Sequence, residues 1–289
     1  MGGLDMKLLR FVNYDINEGL VRFWKRYLAA ILLGIVICAR LVAAMSYWVD
    51  NYGLEVSLLE YGLWHFKGRN PYHFDLSVAQ SFQVPMEWLL QYILLAYCIG
   101  SYIRDDMVGF GSLMMLKSGQ RLRWWSAKVI WCILVNVCFF ALQWCVNTAY
   151  AWILTGNVSL EKNMGLLMVN YGNELATTDR SELLLLVFLM PFLVGVVQSV
   201  LQMVLTICFG GIPAMVGLTG LLVISSYYGG RFLVHGYAMV VRYYTDSLAK
   251  DAAILDIRFG IPYLLIIFAV LVVAGYLLLR KKDILGNKF

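Results

Sequence analysis

The sequence LAAILLGIVICARLVAAMSYW, residues 28–48, is an apolar run that holds one charged residue, Arg40. A helix rises about 1.5 Å per residue, so this run reaches about 30 Å, the thickness of the hydrocarbon core of a bilayer. It starts after 27 mixed residues and is longer than the core of a signal peptide. We therefore predict a membrane-spanning helix here and not a cleaved leader.

The whole chain has the composition of a membrane protein. Hydrophobic residues make up 61% of it and charged residues only 14%, with a mean hydropathy of +0.72, whereas a soluble domain has about 25% charged residues. Six apolar runs are long enough to cross a bilayer. They lie at about 28–48, 85–103, 129–154, 183–209, 212–228 and 261–279. We therefore expect an all-α fold, with residues 1–289 forming a single polytopic membrane domain of six transmembrane helices.

The fourth and fifth runs are separated only by GGIP, residues 210–213. Two glycines followed by a proline interrupt a helix, and Pro213 suits the first turn of the next one. The pattern predicts a tight helical hairpin. The fifth run is the shortest, and whether it crosses the bilayer fully stays open.

The basic residues predict the orientation. If the N-terminus is cytoplasmic, fourteen Lys and Arg residues lie inside and eight lie outside, so both termini and residues 104–128 are expected in the cytoplasm. Residues 1–27 carry apolar side chains every three to four positions, which predicts an amphipathic interfacial helix on the inner leaflet. The alternative is a helix that packs against a soluble partner. The apolar positions are Leu4, Leu8, Val12, Ile16, Leu20 and Phe23.

The sequence contains no motif of a common membrane enzyme or metal site. Its three histidines, His65, His73 and His235, fall in predicted outer loops, and there is no H-E-x-x-H or G-x-S-x-G motif. No phosphate-binding G-x-x-x-x-G-K-[ST] loop occurs either, and the six cysteines lie in apolar runs. We expect no catalytic residue, no metal, no cofactor on this chain and no nucleic acid partner.

Polar residues inside the predicted spans are costly in hydrocarbon and are therefore candidates for function. They form one stripe in the third span and another in the fourth, and Arg40 is alone in the first. The candidate substrate path is Arg40, Asn136, Gln143, Asn147, Gln198, Gln202 and Thr206. Each stripe either bonds neighbouring helices or lines a wet path. Arg40 either extends to the outer surface, or faces a cavity and meets a substrate, a lipid headgroup or an acid from a partner.

The segment RDDMVGFGSLMMLKSGQRLRWWSAK, residues 104–128, has features that a plain connector does not need. Its apolar residues between Val108 and Leu116 favour a buried contact. Basic residues suit the rim of that contact and lipid phosphates, and Trp124 and Trp125 suit the headgroup level. The alternative is an interfacial helix without a partner. The proposed rim residues are Arg104, Arg121, Arg123 and Lys128.

In their order along the chain, these features resemble the type-2 permeases of ATP-binding-cassette (ABC) transporters, and the resemblance covers nearly the whole chain. An Asn-Pro pair that many such permeases have in the last outer loop is missing. The features that match are Asp105-Asp106, Gly109, Leu113 to Leu116, the Lys117-Ser118-Gly119 turn, Ser126, Lys128, the GGIP hairpin, the long last outer loop and RKKDIL at 280–285.

The resemblance implies that residues 104–128 form a coupling loop seated in a groove of a separate ATPase subunit. Two copies of that ATPase, which would bind ATP and Mg, would join this chain and a second permease, identical or homologous, in a bacterial plasma membrane with its lipids. The coupling residues would be Asp105, Asp106, Val108, Gly109, Phe110, Leu113, Met114, Leu116 and Lys128.

The resemblance also implies export. Mostly apolar spans with a few amides favour an amphipathic peptide or a hydrophobic drug-like molecule as the substrate. One alternative is a permease that exports a polysaccharide or a lipid-linked glycan. An alternative from a different class is a six-span membrane enzyme or a scaffold without ATP coupling.

Overall fold

The computed structural model describes residues 2–72, 82–100, 102–111, 113, 115, 121–156, 158–244 and 255–281, with side chains from residue 8 onward. These residues are helical with no strand, so the predicted all-α class is confirmed. The helices are α1 Gly2–Ile16, α2 Lys25–Tyr52, α3 Leu58–His65, α4 Met86–Gly100, α5 Tyr102–Val108, α6 Arg121–Thr155, α7 Met164–Tyr171, α8 Asn173–Thr177, α9 Arg180–Leu184, α10 Met190–Phe209, α11 Gly211–Tyr227 and α12 Ile257–Lys281.

Shorter helical turns continue several of these helices. Asn17–Val21 and Leu185–Leu189 are π-helical and follow α1 and α9, and Val234–Ala238 and Val240–Tyr243 are 3₁₀ turns. Within the described part of the chain, five helical stretches are long and apolar enough to cross a membrane, which supports the predicted membrane protein. They are Lys25–Tyr52, Met86–Val108, Arg121–Thr155, Arg180–Phe209 and Ile257–Lys281. The shorter α11 has 17 residues.

The break between the fourth and fifth predicted spans is confirmed. Helix α10 ends at Phe209, Gly210 has a φ of +89°, and α11 starts at Gly211. A positive φ is readily adopted only by glycine, and Pro213 lies in the first turn of α11, where its missing N–H costs nothing. Two helices therefore meet at an abrupt turn.

The three long connections of the chain pack together on one face, which we call the long-loop face. The carboxylate of Glu60 is buried and accepts the backbone N–H of Ser57 at 2.7 Å and of Asn163 at 2.9 Å. The N–H of Val240 donates to the carbonyl of Phe66 at 2.8 Å. Residues from all three connections thus hold one another.

The opposite face, which we call the terminal face, carries α1 and the end of α12. Arg121 Nη1 donates to the carbonyls of Leu279 at 3.0 Å and Arg280 at 2.7 Å, so α6 begins where α12 ends. On the same face, α1 lies along the first turns of α6, with Phe11 buried and Leu9 exposed. A helix therefore forms over part of the predicted range, Gly2–Ile16 with the π-helical turn Asn17–Val21, and it packs on its own chain. Its place on the inner leaflet stays a prediction.

Two helices are longer than a bilayer is thick. Helix α2 has 28 residues and α6 has 35, so they rise about 42 Å and about 52 Å against a hydrocarbon core of about 30 Å. Their C-terminal ends join α3 and α7 in a second hydrophobic cluster at the long-loop face. Its buried members are Cys38, Leu41, Met45, Val56, Leu58, Tyr61, Ala151 and Leu166.

Candidate functional site

The polar stripe of α10 is buried against α4. Gln198 Nε2 donates to the Tyr92 carbonyl at 2.8 Å, and Gln202 Nε2 donates to the Ala96 carbonyl at 2.9 Å. The two glutamines are four residues apart, and so are Tyr92 and Ala96. Two successive turns of α10 therefore bond two successive turns of α4. Thr206, one turn further, is also buried. The side-chain N–H groups of both glutamines thus find partners within the protein, as expected where hydrocarbon offers none.

The polar stripe of α6 is bonded in the same way to α2 and α10. Its three amides are almost fully buried. These contacts favour the packing alternative for both stripes, and a substrate path along them stays a prediction. The contacts are Asn136 Nδ2 to Ser199 Oγ at 2.8 Å, Gln143 Nε2 to the Ala30 carbonyl at 3.0 Å, and Cys38 Sγ to Asn147 Oδ1 at 3.2 Å.

A buried ionic cluster lies at the terminal face. Lys128 Nζ of α6 is 2.5 Å from Asp15 Oδ1 of α1 and 2.5 Å from Asp106 Oδ2 of α5, and each of the three side chains is at most 2% exposed. Two hydroxyls complete it. Tyr102 donates to Asp15 at 2.6 Å, and Tyr14 donates to Asp106 at 3.2 Å. One lysine thus joins two carboxylates from two other helices.

The surroundings of the cluster are apolar and aromatic. Lys128 Nζ lies 4.5 Å from the ring centre of Tyr102 and 5.0 Å from that of Trp124. Burial raises the pKa of Asp15, and this effect is opposed by the ion pair with Lys128 and the hydrogen bond from Tyr102. An ion taken out of water is tolerated only while its partner is present, so the cluster holds α1, α5 and α6 in one arrangement.

Sequence reasoning missed Asp15, although a signal for it exists. Asp15 lies four residues after Phe11 and seven after Leu8, on the same side of α1 as these apolar residues. A carboxylate on the apolar side of an amphipathic helix needs a buried cation. Nothing in the sequence indicated that this cation is Lys128, because the two are 113 positions apart.

The roles predicted for Lys128 and for the tryptophan pair are wrong. Lys128 is buried in the ionic cluster and does not lie at the rim of a contact. Trp124 and Trp125 are 1% exposed and therefore do not face lipid headgroups, and Trp125 Nε1 donates to the Val272 carbonyl of α12 at 2.9 Å. The physical reason is that α1 and α12 pack over the first turns of α6. Arg121, also predicted at the rim, bonds the last carbonyls of α12 instead.

Next to the ionic cluster, apolar side chains are exposed on the terminal face. Val108 is 62% exposed, Phe110 60% and Leu113 53%. The coupling role of this segment stays a prediction. Of the other residues assigned to it, Asp105 and Gly109 are exposed, Asp106 and Lys128 are buried in the cluster, and Met114 and Leu116 lie outside the described residues.

Arg40 lies in the wall of a cavity on the long-loop face. The cavity has a volume of about 1110 Å³ and opens between the first and second long connections. Arg40 Nη1 is 3.0 Å from the Oε1 atom of Glu87 at the start of α4, with side chains 63% and 22% exposed. Arg40 thus lies at a cavity, and the acid that it meets belongs to its own chain. Whether Arg40 contacts a substrate or extends to the outer surface stays a prediction.

Lys67 lies in the same cavity between two aromatic rings. Its Nζ is 4.6 Å from the ring centre of Trp64 and 5.0 Å from that of Tyr171. Burial lowers the pKa of Lys67, and the nearby Glu87 carboxylate partly offsets this. The two ring faces attract the ammonium and partly compensate for its loss of water.

The two described histidines are buried between helices. His65 Nδ1 is 3.1 Å from the Tyr61 carbonyl, and His235 Nε2 is 3.1 Å from Gln198 Oε1. Burial lowers the pKa of each to about 4, so both are neutral near pH 7. Among the residues that the structure describes, no group of three His, Cys, Asp or Glu side chains could hold a metal ion.

The fold and these sites define a helical membrane protein with a buried ionic cluster at the terminal face and a charged cavity at the long-loop face. The chain belongs to the family described as protein of unknown function, DUF2705, which it matches over residues 36–285. No curated protein and no solved structure matches it. The matched range includes Arg40, Lys67, Asp106 and Lys128, whereas Asp15 lies before it.

Proposed function

We propose that this chain is the permease subunit of an ABC exporter in a bacterial plasma membrane. The observation that supports this best is the segment after α4, where Asp106 is held in the buried ionic cluster while Val108, Phe110 and Leu113 remain exposed beside it. Apolar side chains grouped on a water-facing surface commonly mark a protein contact. An ATPase subunit covers this segment in the family that the sequence resembles.

The ionic cluster provides a mechanical reason for coupling. Asp106 immediately precedes the exposed apolar residues, and Lys128 ties it to Asp15 and to the first turns of α6. Packed elements that are bonded in this way move together. A partner that displaces the segment on binding ATP would therefore tilt α6 and α1 with it and change the access of a substrate between the two sides.

The proposal includes six spans, with α11 as the fifth, and a cytoplasmic terminal face. The excess of basic residues on that face agrees with this orientation. Two copies of an ATPase would bind ATP and Mg, and a second permease, identical or homologous, would complete the pathway. The substrate would be an amphipathic peptide or a hydrophobic drug-like molecule, in keeping with mostly apolar helices.

The test is a charge placed on the exposed apolar residues. We expect Leu113→Asp and Val108→Asp to release a candidate ATPase subunit or to uncouple hydrolysis from transport, because an unpaired charge at a dry contact commonly costs several kcal/mol. The measurement is a pull-down of co-expressed subunits, scored beside ATP hydrolysis and transport. Val158→Asp is the matched control, since Val158 is also exposed and apolar but lies on the long-loop face.

If both charge variants bind the ATPase, hydrolyse ATP and transport as the unmodified chain does, the segment is not a coupling element. In that case the permease proposal loses its support from the structure, and a scaffold or membrane enzyme becomes the better hypothesis. Loss of binding in Val158→Asp as well would show that the assay reports misfolding and not the contact.

A further inference from the structure

The two ends of α12 mark the thickness of the bilayer. Arg258 and Arg280 are exposed and lie 22 residues apart, near the two ends of the helix. This separation is about 33 Å of helix, close to the hydrocarbon thickness of about 30 Å. Gly260 of α12 lies against the Met190 side chain at the start of α10. The hydrocarbon on the long-loop side therefore ends at about the level of Met190.

Helices α2 and α6 continue well beyond this level. Phe140 of α6 packs on Phe192 of α10 with 6.3 Å between the ring centres, so α6 leaves the hydrocarbon close to Phe140. The last residue of α6, Thr155, lies 15 residues further along the helix, which is about 22 Å. Helix α2 runs beside it, with Cys38 Sγ bonded to Asn147 Oδ1. The ends of both helices therefore project from the bilayer.

We call the projecting part, residues 41–66 and 142–179, the head. It has large apolar side chains on its surface, each more than half exposed. Because the hydrocarbon ends near Phe140, acyl chains do not reach Trp152, which lies 12 residues further along α6 and about 18 Å away. Grouped apolar side chains that face water commonly mark a contact with another molecule. They are Tyr47, Tyr52, Trp152, Ile153 and Leu154.

The head is acidic, although the chain as a whole carries a net charge of +5. Its two ranges contain six acidic residues and one basic residue, Lys162. Lys162 Nζ donates to the carbonyls of Ala176 at 3.0 Å and Thr178 at 2.8 Å, so the one cation is bonded within the head. Glu60 is buried, and the other five acidic residues are exposed. They are Asp50, Glu55, Glu161, Glu174 and Asp179.

The exposed acids and the exposed apolar residues occur on the same elements. Asp50 follows Tyr47 by three residues on α2, so the carboxylate and the ring share one side of the helix. The next residues along the chain are bonded to the connection that follows α6, because Asn163 Nδ2 donates to the Glu55 carbonyl at 3.0 Å. Glu161 is two residues before Asn163. Carboxylates thus adjoin the apolar ends of both long helices.

This combination of charge and apolar surface selects the occupant. A second copy of the chain on this surface would place acid against acid, and like charges across a contact are unfavourable. An anionic partner is disfavoured for the same reason. A molecule with basic groups and an apolar side matches both the carboxylates and the exposed rings.

We propose that the head binds a cationic amphipathic peptide. Its basic groups pair with the exposed carboxylates, Asp50 and Glu161 among them, and its apolar side packs on Trp152 and Tyr52. The inference rests on the proposed function for its link to transport, and it adds the charge of the peptide substrate to that function. Binding to the head does not need an ATPase, so the two proposals fail separately.

The experiment places the full chain in nanodiscs of phosphatidylcholine and titrates it with a short amphipathic peptide of lysine and leucine. Empty discs are the reference. We expect saturable binding to the chain that weakens as the salt concentration is raised, because salt screens exposed charges. The same peptide with glutamate in place of lysine should not bind the chain. A version with serine in place of leucine should bind at least about tenfold more weakly, because the apolar contact is lost.

Substitutions in the head test the site itself. Asp50→Lys combined with Glu161→Lys should raise the dissociation constant at least about tenfold, because attraction becomes repulsion. Trp152→Ala should raise it about three- to tenfold, the loss of one aromatic contact. The matched controls are Asp256→Asn and Trp24→Ala, since both residues are exposed and lie outside the head. Their dissociation constants should equal that of the unmodified chain.

The changed head residues are all exposed, so the variants are expected to fold. If the double lysine variant does not purify as a folded protein, Asp50→Asn combined with Glu161→Gln takes its place, with an expected weakening of about two- to fivefold.

The proposal is overturned if the lysine peptide binds empty discs as tightly as discs with the chain, if the glutamate peptide binds the chain equally well, or if the head variants bind as the unmodified chain does. Binding that depends on the head, in a chain that captures no ATPase, would support this site and reject only the permease role. A chain that couples to an ATPase but does not bind the peptide would reject only the site.

Discussion

Two charged sites at opposite faces of the molecule show how burial changes the role of the same chemistry. At the terminal face, Lys128 and its two carboxylates are almost completely excluded from water. At the long-loop face, Arg40 and Glu87 form a pair at 3.0 Å whose side chains remain partly exposed. The buried charges depend on one another and hold helices together, whereas the Arg40 side chain remains 63% exposed at the edge of the cavity.

The lengths of the helices account for this difference. At the terminal face, α1 and α12 cover the first turns of α6, so Lys128 is enclosed on several sides. At the long-loop face, α4 starts only at Met86, beside Arg40 in the middle of the 28-residue α2. Between Arg40 and the C-terminal end of α2, α4 no longer lies beside α2, and the cavity occupies that space.

The largest expected effect is the loss of the buried cation. Lys128→Met would leave Asp15 and Asp106 buried without a counter-ion, which typically costs about 3–5 kcal/mol. We expect a large fall in the midpoint of thermal unfolding in detergent, with α1 becoming accessible to proteases. Lys25→Met is the matched control, because Lys25 is an exposed lysine at the terminal face. An unchanged midpoint for Lys128→Met would show that the cluster is open to water.

Removal of one carboxylate tests whether charge balance or geometry stabilises the ionic cluster. In Asp15→Asn, Lys128 keeps Asp106 as a one-to-one partner, and the new amide oxygen can still accept the hydrogen bond from Tyr102. We expect a loss of about 1–3 kcal/mol, the range for one hydrogen bond to a charged group, measured in the same unfolding assay. A loss as large as that of Lys128→Met would indicate that geometry, and not charge balance, holds the cluster.

The smallest effect is expected at the exposed pair. Arg40→Gln and Glu87→Gln should each change the stability by about 0–1 kcal/mol, because the 63% exposed Arg40 makes this a partly exposed ion pair, and such pairs contribute little. The double variant should equal the sum of the two single ones within error in the same unfolding assay. A loss of stability near that of Lys128→Met would show that this pair is as deeply buried as the ionic cluster and that the cavity is closed in the membrane.

Some of this architecture could be predicted because it depends on local properties of the chain. The run at 28–48 lies inside the observed Lys25–Tyr52 helix, and GGIP stops α10 where expected, since hydrophobic length and glycine freedom act within a few residues. The predicted positions of Lys128, Trp124 and Trp125 were wrong, because the sequence does not show the partners from α1 and α12 that bury a charge or an indole.

Apolar composition and the length of the apolar runs were enough to predict a helical membrane protein, because they determine whether a chain is stable in hydrocarbon or in water. Only the tertiary structure decided which polar residues hold helices together and which face an open space. Gln198 and Gln202 bond α4, Lys128 joins helices distant along the chain, and Arg40 and Lys67 line one cavity. The reason is physical: the energy of a buried polar group depends on its partner, and that partner is chosen by packing and not by neighbours in the chain.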